Sequence, residues 1–365
     1  MKKLIKRVLC VLLAVLLPVA GYIAYVFIDY HRIDDKQALE ISSVGSCSDK
    51  QVQTGTSYRI VSANIGFGAY SADYSFFKDG GKESRARSEE AVLANVSGST
   101  EIIAAQQPDF IFVQEVDFDS TRSHHVDERA IVIDGLAAES DADGYSINFA
   151  QNYDSPYLFY PFLSPHGASK SGILTFSVFP IHSALRRSLP IETGVMKLVD
   201  LDRCYSVSRI AAENGRELVL YNLHLSAYTS DGTIATEQLQ MLCDDMKAEA
   251  EKGNYCIAGG DFNKDLLGSS GDIFGVAASE NDTWAQPIPE GTIPDGLSLV
   301  VPFDEAHPLA SCRTASEPYN VETTFRITVD GFLVSSDVEV IASDVVDAGY
   351  AYSDHNPVYM DFILK

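Results

Sequence analysis

Residues 8–28 contain no charged side chain, and this stretch constrains the chain more than any other feature. As a helix it would span about 31 Å, the thickness of the hydrocarbon core of a bilayer. Basic residues precede it in segment 1–7, and Asp29, Asp34 and Asp35 follow it. The positive-inside rule then places residues 1–7 in the cytoplasm and the rest of the chain outside. We predict a single-pass membrane anchor over residues 8–28.

A cleaved signal peptide is the competing interpretation of this segment. Its apolar stretch is longer than a usual signal-peptide core, and Pro18-Val19-Ala20 is a poor small-x-small cleavage site. An uncleaved anchor in the cell membrane is therefore favoured, and a secreted form is the alternative.

The composition indicates a folded, acidic protein. Of the 365 residues, 46% are hydrophobic, which excludes a disordered chain and suffices for one large domain or two smaller ones. The formal net charge is −24, and about −28 falls on the part after residue 7. A surface of this sign repels polyanions, so long nucleic acids are disfavoured as partners.

The cysteines do not define a metal site or a disulfide framework. Cys10 lies in the anchor, which leaves an odd number outside it and excludes complete pairing. No pair has the spacing of zinc ligands, and the one or two disulfides that the remainder could form cannot be assigned.

Residues 29–57 are polar and predict a linker, so that the folded domain spans residues 58–365. Helical periodicity is found at 86–107 and 234–250. Apolar runs predict strands near 60–65 and at 110–113, 171–177, 205–211, 218–225, 255–258, 329–334 and 358–363. Residues 117–169 and 263–324 are expected to be long loops. Many strands with few long helices predict a mixed α/β sandwich of two packed sheets with flanking helices.

Two residues that suit a hard cation stand at the ends of apolar runs. Asn64 belongs to SANI, and Glu115 follows the strand in VQEVD. Because Mg²⁺ prefers carboxylate and amide oxygens and keeps several waters, this pair would suffice as an open site. Taken singly, Asn64 could equally cap a turn and Glu115 could be a solvated strand-end charge.

Two further clusters space polar residues by two. In GGDFN, Asp261 and Asn263 share one face of an extended segment, where they can orient a water and a phosphoryl oxygen together. In YNLHL, Asn222 and His224 lie opposite two leucines, and His224 could donate to a phosphate oxygen. The alternatives are an ordinary Gly-rich turn in the first cluster and, in the second, a core histidine whose hydrogen bonds are satisfied within the protein.

The segment SDHNPV near the end of the chain joins Asp354 to His355, and Asn356-Pro357 favours a turn there. A histidine that removes a proton from water needs a group that fixes its tautomer and stabilises the imidazolium. Asp330 in TVDGF is the candidate for that partner. Without a partner, a surface Asp-His dipeptide indicates little.

Taken in order, SANI, VQEVD, NLHL, GGDFN, the Val-Asp-Gly strand and SDHNPV resemble the endonuclease/exonuclease/phosphatase family, which has the deoxyribonuclease-I-like fold. No motif is specific alone, but their ordered combination is, and the resemblance covers residues 58–365. It implies an α/β (α+β) fold, a four-layer α/β/β/α sandwich of two mixed sheets. It also implies cleavage of phosphoesters with Mg²⁺, or with Mn²⁺ or Ca²⁺.

The resemblance also implies a role for each residue of the motifs. Three oxygen donors would hold the metal: Asn64, Glu115 and Asp354. Asp261 and Asn263 would position water and phosphate, and His224 would bind the phosphoryl group. His355, backed by Asp330, would act as general base. Whether Asp261 or His355 takes the water proton stays open.

Four residues are candidates for substrate binding: Arg122, Lys170, Asn222 and Tyr153. The two cations could clamp a phosphate, although surface ion pairs are the commoner use of such residues. Two departures from the family pattern matter. The strand of Asp330 reads Asp-Gly-Phe in place of Asp-Tyr-Ile, and residues 170–174 read KSGIL in place of GNAIL, which removes an Asn that could contact substrate.

The leading hypothesis is a membrane-tethered, outward-facing, metal-dependent phosphodiesterase or phosphatase for a small-molecule or lipid phosphoester. Tethering favours a lipid. An extracellular nuclease is the alternative, and the acidic charge disfavours it. A catalytically inactive surface-binding module is the third hypothesis, disfavoured because every expected metal and proton-transfer residue is retained. No protein partner is inferred.

Overall fold

The computed structural model describes residues 1–47, 49–140, 142, 144–191, 202–227, 233–279, 282 and 284–365. Its helices are α1 Lys2–Asp29, α2 Glu89–Ala105, α3 Glu128–Glu139, α4 Thr233–Glu251 and α5 Ser270–Phe274. Its strands are β1 Gln37–Ala38, β2 Ile41–Gly45, β3 Ser57–Asn64, β4 Phe110–Asp117, β5 Gly144–Asp154, β6 Lys170–Ser177, β7 Ile181–Ser188, β8 Cys204–Ala211, β9 Glu217–His224, β10 Tyr255–Asp261, β11 Leu297–Val300, β12 Cys312–Arg313, β13 Arg326–Ile327, β14 Asp330–Ser335, β15 Val338–Val345 and β16 Val358–Leu364.

Two seven-stranded sheets form the body of the molecule. Sheet I has the order β1-β7-β8-β9-β10-β14-β11, and sheet II has the order β15-β16-β3-β4-β6-β5-β2. Both sheets are mixed, because β9 and β10 are parallel in sheet I and β3 and β4 are parallel in sheet II, whereas the other pairings are antiparallel. Strands β12 and β13 form a separate ribbon.

Apolar side chains bury both faces of each sheet. Between the sheets, Phe112 of β4 belongs to the same buried cluster as Ile257 of β10 and Phe332 of β14. Helices α2 and α3 cover the outer face of sheet II, where Val96 lies in a cluster with strand residues of β3 and β4. Helix α4 covers the outer face of sheet I through Leu242. The predicted four-layer α/β/β/α sandwich is confirmed.

The two predicted helices of the domain are confirmed, with ends that local chemistry explains. Ser88 caps α2 by accepting a hydrogen bond from the backbone N–H of Ala91 at 3.2 Å. Helix α4 buries one apolar stripe against sheet I and presents acidic residues to solvent. The expected loop over residues 117–169 is wrong in part, because it contains α3 and β5. Strand β5 was missed because polar residues such as Asn148 are buried in it and paired across to sheet I.

The predicted linker over residues 29–57 is also wrong in part. Strand β1 pairs with β7 at the edge of sheet I, and β2 pairs with β5 at the edge of sheet II. Val52 is fully buried in the cluster between the sheets. Short strands with exposed polar side chains carry little periodicity, so the sequence gives no strand signal here. The folded domain therefore includes residues that precede position 58.

Helix α1 stands apart from the sandwich. It is 28 residues long, and none of its side chains is buried. Among the described residues it is the one helix long and apolar enough to cross a membrane. That property agrees with either the predicted anchor or the alternative signal segment. Its last turns contact the domain through Tyr22 and Tyr25.

Candidate active site

The register of three neighbouring strands of sheet I brings the sequence clusters together. Strand β10 ends with Asp261, which lies beside His224 of β9 on one side and beside Asp330 of β14 on the other. In sheet II, β3 ends with Asn64. The side-chain Nδ2 of Asn64 donates a hydrogen bond to Oδ2 of Asp261, in the other sheet, at 3.1 Å. The four clusters thus meet where the ends of the two sheets face each other.

A β-bulge presents Glu115 to this point. The pairing of β4 with β6 shifts register between Val113 and Val116, and Glu115 has a φ of 56°. A non-glycine residue in this left-handed region is strained, and such strain is concentrated at functional sites. Asn64 Nδ2 donates to Glu115 Oε1 at 3.2 Å. The bulge therefore re-aims a strand side chain that regular pairing would direct elsewhere.

Asn64 joins the metal-site candidates to the proton-transfer candidates. Its Oδ1 accepts a hydrogen bond from the backbone N–H of Gly66 at 3.0 Å, which orients the amide. The Nδ2 atom also lies 3.5 Å from Nε2 of His355. Ser353 Oγ donates to the backbone oxygen of Asn64 at 2.8 Å, which ties SDHNPV to the end of β3. Asn64 is thus buried and contacts both groups of candidates, so it does more than cap a turn.

His355 and Asp330 form the predicted pair. Nδ1 of His355 lies 2.7 Å from Oδ2 of Asp330, and both side chains are buried. The other ring nitrogen, Nε2, faces Asp261 Oδ2 at 3.9 Å and Cys312 Sγ at 3.5 Å. A carboxylate on one imidazole nitrogen fixes the tautomer and leaves the other nitrogen to act on a ligand.

His224 and Asn263 complete the surroundings of Asp261. Nε2 of His224 lies 3.3 Å from Asp261 Oδ2, whereas its buried Nδ1 has no hydrogen-bond partner among the described residues. The backbone N–H of Asn263 donates to Asp261 Oδ1 at 2.8 Å, and its Nδ2 donates to the backbone oxygen of Leu225 at 2.8 Å. Both carboxylate oxygens of Asp261 are therefore held in place.

Burial perturbs the protonation of these groups. Burial, assisted by the charge of Asp330, raises the pKa of Asp261 to about 7. Burial, assisted by Glu115, raises the pKa of Asp354 to about 6. Burial also lowers the pKa of His224 well below its usual range. It opposes the charged form of His355 too, but the adjacent Asp330 outweighs it and raises the pKa of His355 well above that range.

The donor set fits a hard divalent cation. Glu115 lies close enough to Asp354 for its charge to raise the pKa of Asp354. Asn64 turns its Nδ2 toward Glu115, and its Oδ1, the atom that would bind a cation, accepts from the backbone N–H of Gly66. Crowded carboxylates of this kind are relieved by a cation with oxygen preference. A second group, Asp261, Asp330 and His355, has ligand atoms within 4.8 Å of one another. In that group the short contact between His355 and Asp330 is a hydrogen bond, which favours proton transfer over metal binding.

Two predicted substrate-binding residues lie away from the site. Asn222 is fully buried between the sheets, where its Oδ1 accepts from Gln114 and its Nδ2 donates to the backbone oxygen of Leu174, both at 2.8 Å. Its amide is therefore satisfied by protein groups. Lys170 lies at the start of β6 and pairs with exposed Asp119 at 3.7 Å. The prediction for Asn222 is wrong, because alternation alone does not show which residues of a strand reach the site. Lys170 is not among the residues that line the cavity, and its role stays a prediction.

The other two candidates, Arg122 and Tyr153, do line a cavity above the carboxylates. Arg122 is buried and donates through Nε and Nη2 to the two oxygens of Asp117 at 2.9 and 2.8 Å. Its guanidinium also lies 3.9 Å from the centroid of the Phe67 ring. The predicted phosphate clamp is thus already occupied by a bidentate partner, and its first role is structural.

Several residues of the site carry no motif and were missed. Cys312 contacts His355, and Arg203, Arg313 and Trp284 line the same cavity. All six cysteines lie within the described residues and none of them is in a disulfide. Long loops position Cys312, Arg203, Arg313 and Trp284, so no local pattern in the sequence could have identified them.

The two departures from the family pattern have structural explanations. A Cβ at Gly331 would lie 2.7 Å from Leu266 Cδ1 and 3.0 Å from the backbone oxygen of Val300, so this strand has no room for a larger side chain. At the position where relatives have Asn, Ser171 lines the cavity, and its buried Oγ has no partner among the described residues. Ser171 therefore places a shorter polar side chain at this point of the cavity.

The cavity over the strand ends has a volume of about 740 Å³. We call its polar base the floor, which comprises Glu115, His224, Asp261, Asp354 and His355. We call its outer rim the mouth, which comprises Leu158, Phe159, Tyr160 and Phe162. Aromatic side chains of residues 67–77 line the wall between them. A pocket of this size, apolar with a few convergent polar groups, is typical of a small-molecule site.

The model of the Endonuclease/Exonuclease/phosphatase family matches residues 62–355. The chain belongs to this family. The match spans all the motifs from SANI to the Asp-His pair of the floor, and membership supports hydrolysis of a phosphoester. Families of this class generally use a divalent metal, which agrees with the oxygen donors of the site. No curated protein sequence matches the chain.

Solved structures of other proteins share the fold. An endonuclease/exonuclease/phosphatase from Beutenbergia cavernae is 17% identical with a TM-score of 0.55, over 84% of this chain and 72% of its own. ANGEL2, a 2',3'-cyclic phosphatase, is 15% identical with a TM-score of 0.54, over 89% and 99%. The catalytic domain of human Nocturnin is 17% identical with a TM-score of 0.51, over 89% and 97%. At these identities the likeness concerns the fold.

Proposed function

We propose that the protein is a metal-dependent hydrolase of a small-molecule or lipid phosphoester, tethered by α1 and facing outward from the cell membrane. The observation that carries this proposal is the geometry of the floor. Asp261 lies between His224 and Asn64, and it faces His355, which a buried Asp330 holds at 2.7 Å. Family membership supports the reaction class.

Asn64, Glu115 and Asp354 would hold the divalent ion, Mg²⁺ or a similar cation such as Mn²⁺ or Ca²⁺. When bound, such an ion supplies positive charge against the phosphoryl oxygens and their developing negative charge. The remaining chemistry belongs to side chains of the chain itself. Their burial excludes bulk water and strengthens each electrostatic contact.

In this proposal Asp261 orients the attacking water and accepts its proton; the anchoring of both its oxygens, with Oδ2 facing the centre of the floor, supports this role. Attack forms a new P–O bond and breaks the bond to the leaving oxygen, which takes up the proton that Asp261 releases. His355, held by Asp330, presents Nε2 toward the same centre; because its raised pKa keeps the ring charged, in this proposal it stabilises the phosphoryl oxygens instead of acting as the general base. His224 and Asn263 fix the position of Asp261 and of the phosphoryl group.

The charge of the protein argues against long nucleic acids as substrates. A net charge of −24 repels a polyanion, and Arg122 in the cavity is bound to Asp117. A small or membrane-embedded phosphoester needs no extended basic surface. The wide aromatic cavity agrees with a substrate that carries an apolar part.

A substrate panel tests the proposal. The full-length protein in detergent is assayed on a phosphate monoester, on bis(4-nitrophenyl) phosphate and on plasmid DNA, with Mg²⁺ and with a chelator. We expect Mg²⁺-dependent hydrolysis of a small phosphoester, lost in Glu115→Ala and retained in Lys252→Ala, an exposed lysine outside the cavity lining. Chelator-resistant hydrolysis, or equal rates in both variants, would contradict the proposal. Cleavage of the plasmid alone would favour the nuclease.

A further inference from the structure

The loop that carries the mouth is apolar and exposed. Residues 157–165 read YLFYPFLSP and contain no charge, in a protein whose net charge is −24. Phe162 is 75% exposed and Leu163 is fully exposed, with Phe159 and Tyr160 at least half exposed. A continuous exposed apolar segment of this kind on an acidic protein indicates an interaction site.

The same loop is bonded to the last turns of α1. Tyr22 Oη donates to the backbone oxygen of Tyr157 and accepts from the backbone N–H of Phe159, both at 3.0 Å. The backbone N–H of Tyr157 donates to Tyr25 Oη at 3.0 Å. The rings of Tyr22 and Phe159 pack edge to face with centroids 6.2 Å apart. The loop therefore has a fixed position along the helix.

That position lies inside the apolar segment of the helix. Tyr22 precedes Asp29, the last residue of α1, by seven residues, which is about 10 Å along the axis. Segments that lie in a membrane interface bury their apolar face about 5–10 Å deep. A loop bonded to Tyr22 thus reaches interfacial depth when α1 spans the bilayer. Tyr22, Tyr25 and the aromatic residues of the loop have the composition of an interfacial belt.

The cavity connects this surface to the floor. Tyr22 itself lines the cavity, together with Phe159, Phe162 and the catalytic candidates Asp261 and His355. The path from the exposed loop to the floor is thus lined by residues of both the helix and the domain. A ligand with a polar phosphoester end and a long apolar end fits a cavity that is polar at the floor and apolar at the mouth.

We propose that loop 157–163 and the end of α1 seat together in the outer leaflet, and that the cavity takes the headgroup of a bilayer lipid that contains a phosphoester. This inference rests on the proposed function, which it narrows from small-molecule or lipid phosphoesters to lipids drawn from the membrane. The acidic protein favours a zwitterionic surface, because anionic lipids attract basic segments and not acidic ones.

Fluorescence quenching tests the seating of the loop without reference to activity. Full-length Leu163→Trp is reconstituted into vesicles of brominated phosphatidylcholine, with the wild type, which has the single Trp284, as background. The control is Ile341→Trp, an exposed apolar position on β15, at the opposite edge of sheet II from β2. We expect strong quenching for Leu163→Trp and none beyond background for Ile341→Trp. Equal quenching at both positions would overturn the seating.

Hydrolysis of vesicle lipids tests the substrate class. Full-length protein is reconstituted in vesicles of phosphatidylcholine, sphingomyelin and phosphatidic acid, and loss of lipid phosphoester is followed by phosphorus NMR. We expect Leu163→Glu, outside the cavity lining, to slow lipid hydrolysis about tenfold or more. Its hydrolysis of bis(4-nitrophenyl) phosphate and the lipid hydrolysis of Ile341→Glu should match the wild type.

The outcomes separate the two proposals. Wild type that hydrolyses the soluble ester but no vesicle lipid overturns the lipid inference and leaves the proposed function standing. Lipid hydrolysis that is equal in Leu163→Glu and wild type overturns the role of the loop. Wild type that hydrolyses neither substrate overturns the proposed function and the inference with it.

Discussion

The floor and the mouth of the cavity are built in opposite ways. The floor consists of polar side chains at strand ends and in the loop before β16, of which His224, Asp261 and His355 are buried. The mouth consists of largely exposed apolar and aromatic side chains on one loop, which is bonded to Tyr22 of α1. Side chains at strand ends are held rigidly enough for bond making, whereas the residues of a loop can differ between proteins that bind different ligands. We therefore infer that the floor carries the reaction chemistry and that the mouth selects the substrate.

The largest effect is expected from a change in the floor that alters only one charge. Asp261→Asn keeps the shape of the side chain but cannot accept a proton, so kcat should fall about 10³- to 10⁴-fold. Steady-state kinetics on bis(4-nitrophenyl) phosphate measures this change.

Asp330→Asn should also lower kcat, and the double variant with His355→Ala should be no slower than His355→Ala alone, because the pair acts as a unit. Additive losses would break the assignment of Asp330 as the partner of His355.

Arg122 lies between floor and mouth, and its change should affect stability first. Arg122→Met leaves Asp117 buried without its cation, which should lower the free energy of unfolding by about 3–5 kcal/mol. Denaturant unfolding checks this value. The control is Arg129→Met, whose exposed pair with Asp127 should contribute less than about 1 kcal/mol. A normally stable Arg122→Met with a much raised KM would reassign Arg122 to phosphate binding.

A change in the mouth should act on substrate binding more than on the chemical step. Phe162→Ala removes a large apolar side chain from the rim, so the KM for a phosphoester with long acyl chains should rise up to about tenfold. The kcat for that ester should change less than its KM, and a short-chain ester should lose less affinity. Kinetics on the matched pair of esters measures the split. A fall in kcat alone would show that mouth and floor are not separable.

A remote ion pair provides the smallest effect and tests whether stability and activity are separable. Burial opposes ionisation of Glu249, but bonds from Arg209 and its neighbours outweigh it and lower its pKa to about 2. Because the folded pKa lies below the usual value of 4.5, the contribution to stability is present above that value and is lost as pH falls from 4.5 toward 2. Glu249→Gln should remove this pH dependence, which amounts to about 1 kcal/mol or less of the free energy of unfolding, and should leave activity unchanged. A change in kcat would contradict the separation.

The sequence predicted the parts that local pattern determines. Alternation placed Asn222 and His224 on one face of β9, and that face does point into the interior. It could not show that only His224, two residues nearer the strand end, reaches the floor. Asp330 was identified through the chemical need of His355 for a partner, and the pair is present at 2.7 Å.

The remaining features depend on contacts between distant segments. The bulge at Glu115 is set by pairing with β6, and the edge strands β1 and β2 gain their structure only from the sheets they join. The contact between the mouth and α1 joins residues that are more than 130 positions apart, so no local pattern predicts it.

The most direct test of the account is the Mg²⁺-dependent rate of bis(4-nitrophenyl) phosphate hydrolysis by full-length wild type and His355→Ala. We expect hydrolysis by the wild type that stops with chelator and returns with Mg²⁺. We also expect a loss of about 10³-fold or more in His355→Ala, measured at a temperature at which circular dichroism shows the variant to be folded. Wild-type rates in His355→Ala, or hydrolysis that survives the chelator, would contradict the assignment of the floor as a metal-dependent hydrolytic site.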